Sequence, residues 1–144
     1  MKKIIIFFSI VLFSAAMVSA QAWHAKVKWD ATSSNCNCDA SIGSRYIVFL
    51  QITDVANNYA IPPLSVFANI DETEYTFNVE EAVKGHCDDL SNTYPPNYTI
   101  YAYVGFWCAD TTPPELVCNG SNTDTGVSCF DFGSVLQTIT VTLN

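Results

Sequence analysis

Histidine, cysteine and carboxylate side chains are the residues of this chain that could bind a metal ion. Four of them are consecutive, His86, Cys87, Asp88 and Asp89, and one interpretation of this run is a zinc or copper site. Adjacent residues rarely converge on one ion, however, and zinc sites normally use Cys or His pairs at fixed spacing. We therefore expect no metal here, and we expect Cys87 to form half of a disulfide.

Motifs of the common enzyme classes are absent from the sequence. The chain has two histidines, and His24 alternates with lysines on the polar side of a predicted strand. No Gly-x-Ser-x-Gly, phosphate-binding loop or His-Glu-x-x-His sequence is present. With 14 acidic residues, a chain of this length always contains some pair of carboxylates that could be assigned to glycoside hydrolysis. Such a pair is therefore very weak evidence for that activity. We expect a protein that is not an enzyme, and a small secreted hydrolase is the third hypothesis.

Acidic residues in or beside predicted loops make calcium an alternative cofactor. Loop carboxylates supply the oxygen ligands that calcium prefers. The sequence has no Asp-x-Asp-x-Asp-Gly loop, so we expect a solvated acidic rim and no cofactor. The residues concerned are Asp54, Asp71, Glu72, Asp88, Asp89, Asp110, Asp124 and Asp131.

The six cysteines predict a disulfide framework, because their number is even and the chain carries an export signal. They allow 15 connectivities. If residues 98–108 and 129–143 are antiparallel neighbours, two cysteines lie at facing strand ends, so we predict a Cys108–Cys129 bond. Cys118 is then predicted to bond to Cys87 or to the loop that carries Cys36 and Cys38. The full set is Cys36, Cys38, Cys87, Cys108, Cys118 and Cys129.

Residues 1–20 have the pattern of a secretory signal peptide. Lys2 and Lys3 precede an apolar run at residues 4–13 and then small residues. The apolar run is too short to span a bilayer. We expect cleavage after Ala20 or Ala22 and a secreted or periplasmic protein. The short two-lysine start is typical of bacterial signals.

Residues 21–144 have a length that fits a single domain. They contain four basic and 14 acidic residues, which gives a net formal charge of −10. A chain this acidic repels phosphate backbones, so we expect no nucleic acid among its partners. No second apolar segment follows the signal, so we expect no insertion into a membrane.

Residues 98–108, YTIYAYVGFWC, are the run around which the other predicted elements are arranged. Their β-branched and aromatic composition predicts a strand. Apolar groups on both faces are typical of a central strand. Alternation places Ile100, Ala102, Val104, Phe106 and Cys108 on a core face, and Thr99, Tyr101, Tyr103 and Trp107 on the other face with Gly105 between them.

The rest of the chain also favours strands. We predict them at residues 23–30, 46–54, 64–70, 75–79 and 135–143, with one helical turn at residues 80–85. Residues 31–45, 86–97 and 109–128 are predicted to be loops, and Gly133 to mark a bulge or bend. The expected fold is all-β: a disulfide-stabilised antiparallel Greek-key β-sandwich of about seven strands, immunoglobulin-like or prealbumin-like.

The aromatic side of the central strand is the candidate binding surface. Tyr101, Tyr103 and Trp107 could contact a partner protein or a glycan, and Gly105 is expected to leave a shallow recess. The opposing interpretation is that a loop or a second sheet covers these rings. Our first functional hypothesis is an exported, non-enzymatic binding or assembly subunit in the periplasm or at the cell surface. The alternative is a carbohydrate-binding module that uses exposed aromatic residues, with calcium as a further option.

Overall fold

The protein is mostly β. The computed structural model describes residues 22–31, 36, 38, 43–109 and 113–144, and 55% of these residues lie in strands. The strands form two sheets, and three disulfides join distant parts of the chain. The predicted signal peptide at residues 1–20 and most of the predicted loop at residues 31–45 lie outside the described residues.

Eight strands and three short helical segments make up the described part of the chain. A π-helical turn at Glu80–Lys84 continues directly into α1 (Gly85–Cys87), and α2 (Cys129–Ser134) separates the last two strands. The sequence predicted about seven strands; it did not show the two-residue β3, and it assigned most of β7 to a loop. The strands are β1 (His24–Asp30), β2 (Arg45–Asp54), β3 (Tyr59–Ala60), β4 (Leu64–Ala68), β5 (Glu74–Asn78), β6 (Asn97–Cys108), β7 (Glu115–Ser128) and β8 (Gln137–Thr142).

The smaller sheet has the strand order β5–β1–β8. β1 is antiparallel to β5 but parallel to β8, with Val27 beside Ile139. Val27 and its neighbours two residues away, Ala25 and Trp29, are buried, which confirms the predicted core face of this strand. The parallel β1–β8 pair departs from the wholly antiparallel expectation. Parallel neighbours need a long crossover connection, and the whole chain between β1 and β8 provides it.

The larger sheet has β2 and β6 at its centre. The two strands pair antiparallel from Arg45 opposite Trp107 to Thr53 opposite Thr99. β3 and β4 pair with the other edge of β2, and β7 pairs with the other edge of β6. The predicted central position of residues 98–108 is therefore confirmed.

One hydrophobic core joins residues of both sheets. Val27 and Val141 of the smaller sheet and Val48 and Val104 of the larger sheet are fully buried. Each such side chain contributes roughly 1.5–3 kcal/mol by leaving water. The predicted core face of β6 is confirmed, because Ile100, Ala102, Val104, Phe106 and Cys108 are all buried.

Strand β7 corrects the prediction of a loop at residues 109–128. Its middle, Asn119 to Gly126, consists of polar residues and glycines, which in sequence are typical of a turn. Antiparallel pairing uses backbone N–H and C=O groups, however, and it does not require apolar side chains. β6 supplies a long row of such groups, so this polar segment forms a strand beside it.

The disulfides are Cys36–Cys118, Cys38–Cys108 and Cys87–Cys129. All six cysteines are therefore paired. Of the two partners predicted for Cys118, the structure shows the Cys36/Cys38 loop and not Cys87. The predicted Cys108–Cys129 bond is wrong. Residue 108 lies opposite Glu115 at one end of the β6–β7 pair, whereas residue 128 lies opposite Asn97 at the other end.

That separation is too large for a disulfide to bridge. β6 has 12 residues, which span roughly 35–40 Å at about 3.3 Å per residue, and a disulfide holds its two Cα atoms within about 7 Å. The premise behind the prediction is also wrong. The C-terminal strand β8 does not pair with β6; it pairs with β1 in the smaller sheet.

The helical segments agree with the sequence in one place and correct it in another. The predicted turn at residues 80–85 is confirmed and extends to Cys87 through α1. Residues 129–134 form α2, so Gly133 lies in a helix and not at a strand bulge. Ser128 and Asp131 form a reciprocal capping box at the start of α2, a Ser-x-x-acid helix start that strand alternation does not reveal. Within the described ranges, no helix has the length and apolar character needed to cross a membrane.

Candidate binding surface

The larger sheet has one side against the core and one side that points away from it, which we name the outer face. Residues directly opposite one another in a β-ladder point to the same side of the sheet. The register therefore defines the outer face by pairs that include Phe67 beside Ile47, and Trp107 between Arg45 and Leu116. Its members are Arg45, Ile47, Phe49, Gln51, Thr53, Ser65, Phe67, Thr99, Tyr101, Tyr103, Gly105, Trp107, Leu116, Asn119, Ser121, Thr123 and Thr125.

The structure places all three predicted binding residues on the outer face. Tyr101 and Tyr103 are half-buried, and Trp107 is 38% exposed. The smaller sheet shares the core with the inner side of β6, so it does not cover these rings. Burial and the neighbouring Tyr101 raise the pKa of Tyr103 above its ordinary value. The hydroxyl of Tyr103 therefore remains protonated, and it can donate or accept a hydrogen bond.

The predicted recess at Gly105 is filled. A Cβ atom at Gly105 would lie 2.9 Å from Oη of Tyr103 and 2.9 Å from Cδ1 of Leu116. Tyr103 of the same strand and Leu116 of β7 therefore cover the glycine. The prediction of an open recess between Tyr103 and Trp107 is wrong, because sequence alone does not show which cross-strand neighbour occupies the gap.

A hollow is found instead at the end of the outer face where β2 begins. Its volume is about 320 Å³, near the lower end of the range for small-ligand sites. We name it the Trp107 hollow. Its lining consists of Gly43, Arg45, Ile47, Phe67, Trp107 and Pro114. Phe67 is 60% exposed, so its ring is available to a partner.

Arg45 is the charged group of the Trp107 hollow and the only arginine in the sequence. Its guanidinium carbon lies 4.4 Å from the centre of the Phe67 ring, a distance at which a cation is attracted to an aromatic face. Four ion pairs occur among the described residues, and none of them includes Arg45. Sequence reasoning missed Arg45 and Phe67, because only the pairing of β2 with both β4 and β6 brings them beside Trp107.

The rings of the outer face do not all lie in one plane. Phe49 and Tyr101 meet edge to face, with ring centres 6.2 Å apart and an angle of 71° between the ring planes. Edge-to-face contacts stabilise neighbouring aromatic residues. A flat platform for sugar rings needs coplanar aromatic faces, and these two rings do not provide it.

A second group of side chains that could take part in chemistry lies around the buried residues His86 and Asp54. The His86 Nε2 atom is 3.2 Å from Asp54 Oδ2, and Asn57 donates a hydrogen bond of 2.7 Å to the same oxygen. The imidazole ring stacks on Tyr59, with ring centres 3.8 Å apart. We name these four residues the His86 cluster.

The electrostatics of the His86 cluster favour a charged carboxylate. Burial by itself raises the pKa of Asp54, but the hydrogen bonds from Asn57 and His86 outweigh this, so the pKa lies below its ordinary value. The backbone oxygen of His86 also accepts a hydrogen bond from Asn92. The cluster therefore ties the end of β2 to α1 and to the segment that follows α1.

The consecutive residues that suggested a metal site separate in the structure. His86 points to Asp54, Cys87 forms the expected disulfide but with Cys129 as its partner, and Asp88 and Asp89 are exposed. Across the part of the chain that the structure describes, no group of three or more His, Cys, Asp or Glu side chains could hold a metal ion. Asp110, one of the proposed calcium ligands, lies outside that part.

Comparisons of the chain with protein-family models, with curated proteins and with solved structures found no match. The function proposed for the protein therefore rests on the geometry of the outer face.

Proposed function

We propose that the protein is an exported, non-enzymatic binding or assembly subunit that binds a partner protein through its outer face. One observation carries the proposal: the outer face combines exposed apolar side chains with an arginine that forms no ion pair among the described residues. Trp107 and Leu116 are each 38% exposed and Phe67 is 60% exposed. Contiguous exposed apolar residues mark interaction sites more often than scattered ones do, and aromatic residues and arginine are enriched at protein interfaces.

Export and the finer description of the fold belong to the same proposal. Three disulfides are typical of proteins that fold in an oxidising compartment, such as the periplasm or the extracellular space. Residues 1–20 then act as a signal peptide that is removed. The two sheets with their common core support a Greek-key β-sandwich of immunoglobulin-like or prealbumin-like kind, modified by the parallel β1–β8 pair.

The alternative is a carbohydrate-binding module. Tyr101, Tyr103 and Trp107 favour it, because three aromatic residues on one face can stack on sugar rings. The edge-to-face arrangement of Phe49 and Tyr101 and the mostly apolar lining of the Trp107 hollow favour a protein partner. A glycan needs several polar groups to bind its hydroxyls, and Arg45 is the only charged group among the described residues of that lining.

The test is Trp107→Ala in the full chain. If Trp107 anchors an interface, its truncation weakens partner binding by about 2 kcal/mol or more, which is roughly thirtyfold in the dissociation constant. The partner is identified by co-purification from a cell-envelope extract of the producing organism. Its affinity for the wild type and the variant is then measured with purified components.

The matched control is Phe130→Ala. Phe130 is 79% exposed and lies on α2, away from the outer face, so its loss should leave partner affinity unchanged. Denaturant unfolding should show Trp107→Ala nearly as stable as the wild type. Destabilisation by several kcal/mol would mean that Trp107 belongs to the core. Retention of the wild type, but not of Trp107→Ala, on insoluble polysaccharide would favour the carbohydrate-binding alternative.

A further inference from the structure

The Trp107 hollow combines an apolar pocket with a single fixed positive charge. Phe67 of β4 lies opposite Ile47 of β2, and Trp107 of β6 lies opposite Arg45 of the same strand. All four residues line the hollow. Such an arrangement buries an apolar side chain of a partner between two aromatic rings. The volume of about 320 Å³ is small enough that one or two side chains fill it.

Arg45 lies at the edge of this pocket in a favourable state for binding an anion. Stacking on Phe67 at 4.4 Å restricts the guanidinium, so less conformational entropy is lost when its N–H groups form new hydrogen bonds. Arg45 is exposed, and no carboxylate of the described residues pairs with it. Guanidinium groups bind carboxylates with two parallel hydrogen bonds.

Because the chain is acidic overall, Arg45 favours partners that place an acidic group at the Trp107 hollow. The sequence has 14 acidic residues and six basic ones, so most of the surface repels an acidic partner. Arg45 attracts an acidic group of the partner, whereas the excess of acidic residues over the rest of the chain repels it. Such complementarity fixes the orientation of a complex more than it raises its affinity.

We propose that the Trp107 hollow binds a segment of the partner protein that carries an apolar residue and, two positions later, Asp or Glu. This inference rests on the proposed function, because it names the chemistry that the outer face recognises. In an extended segment, residues two apart point to the same side, roughly 7 Å from each other. The apolar side chain enters between Phe67 and Trp107, and the carboxylate pairs with Arg45.

The experiment titrates the isotope-labelled full chain with short capped peptides and follows its backbone amides by NMR. The probe is acetyl-Ala-Leu-Ser-Glu-Ala-amide, compared with peptides in which Gln replaces Glu or Ala replaces Leu. The Glu peptide should shift the signals of Arg45, Ile47, Phe67 and Trp107. The Gln peptide should bind about tenfold more weakly, because it lacks the charge-assisted hydrogen bonds. The Ala peptide should also bind more weakly than the Glu peptide, because it lacks the apolar side chain.

Reversal of the charge at residue 45 provides a more stringent test of the same proposal. Arg45→Glu should lose the Glu peptide and gain binding of the matching Leu-Ser-Lys peptide. Lys84→Glu changes the net charge equally and lies on the helical turn at Glu80–Lys84, so it should change neither affinity. Equal affinities of the Glu and Gln peptides for the wild type, shifts that map elsewhere, or no binding at millimolar concentration would each overturn the inference.

The two proposals fail in different ways. If Trp107→Ala abolishes partner binding but the Glu peptide does not bind at Arg45, the outer face is an interface and only the recognition chemistry is wrong. If the peptide binds at Arg45 but Trp107→Ala leaves partner affinity unchanged, the natural partner binds elsewhere and the proposed function is wrong.

Discussion

Asp54 is a carboxylate with no solvent exposure. Its ionised form is therefore stabilised by hydrogen-bond donors of the protein and not by water. Asn57 and His86 both donate to Oδ2. Burial of a charged group is costly unless such donors replace water. The hydrogen bonds that lower the pKa of Asp54 therefore also stabilise the fold, provided that the group is ionised.

The first prediction concerns Asp54→Asn. The ordinary pKa of this carboxyl is 3.8, and the folded protein lowers it. A group with a lowered folded pKa stabilises the protein above its unfolded pKa, and this contribution is lost as the pH falls through the folded pKa. Between about pH 5 and pH 2, the free energy of unfolding should therefore fall more steeply for the wild type than for Asp54→Asn. At neutral pH we expect the variant to be about 1–3 kcal/mol less stable.

Urea denaturation at a series of pH values measures both effects. Asp124→Asn is the control, because Asp124 is an exposed carboxylate on β7. The free energy of unfolding of this variant should follow that of the wild type across the series. Parallel curves for the wild type and Asp54→Asn would show that Asp54 is not held in the ionised form by its neighbours.

At the scale of elements, the close approach of β7 to the C-terminal strand joins the two sheets at one edge. Asn119 and Asn144 exchange backbone hydrogen bonds, and Asn122 donates to the carbonyl oxygen of Thr140. Gly120 makes the approach feasible. A Cβ atom at this position would lie only 2.0 Å from the carbonyl oxygen of Thr142.

The second prediction is that Gly120→Ala destabilises the protein. Because the atom in conflict belongs to the backbone, β7 and β8 must separate to make room for the new methyl group. Overpacking of this kind costs about 3 kcal/mol. The free energy of unfolding, measured with urea, should fall by this amount.

Gly85→Ala is the matched control for Gly120→Ala. Gly85 lies in α1, and a Cβ atom there would meet nothing within 4 Å. Since alanine is the better helix former by up to about 1 kcal/mol, this variant should be neutral or slightly more stable. Equal stabilities of the two variants would show that the β7–β8 contact is looser than the structure indicates.

At the scale of the whole molecule, the disulfides connect regions that are far apart in the chain. Two of them attach Cys36 and Cys38 to β7 and β6, with sequence separations of 82 and 70 residues. The third joins α1 to the start of α2 across 42 residues. In the chain-entropy account, closing loops of these lengths stabilises the folded state by about 4 kcal/mol per bond.

The third prediction concerns this connectivity. Non-reducing digestion after Asp and Glu should place Cys87, Cys108, Cys118 and Cys129 in four different peptides, and Cys36 and Cys38 together in a fifth. We expect the Cys87 and Cys129 peptides to be linked to each other. The peptide with Cys36 and Cys38 should be linked to both of the others. A direct link between the Cys108 and Cys129 peptides would contradict the structure.

A companion prediction addresses stability. The double variant Cys87→Ser with Cys129→Ser should have a free energy of unfolding about 4 kcal/mol lower, because its unfolded chain is no longer closed into a loop between these residues. Denaturant unfolding of the oxidised protein measures this difference. A loss below about 1 kcal/mol would show that the chain between these residues is already restricted when unfolded.

The sequence by itself determined the features that depend on local pattern. Alternation of side chains placed β1, β2 and β6 correctly and assigned the core faces of β1 and β6, because side chains alternate along any strand whatever its partners. The even number of cysteines, together with the predicted export signal, also predicted disulfides without any knowledge of the fold. Tyr101, Tyr103 and Trp107 were placed together on one face by their spacing alone.

Only the tertiary structure decided what depends on which strands pair and in what register. β7 is a strand because β6 binds its backbone, although its side chains are typical of a loop. Cys129 bonds to Cys87 because β7 carries the chain to the far end of β6. The Trp107 hollow exists because β2 brings Arg45 beside Trp107 and Ile47 beside Phe67. Such contacts join residues distant in sequence, and the alternation along one strand is the same whichever strand pairs with it, so it does not identify the partner.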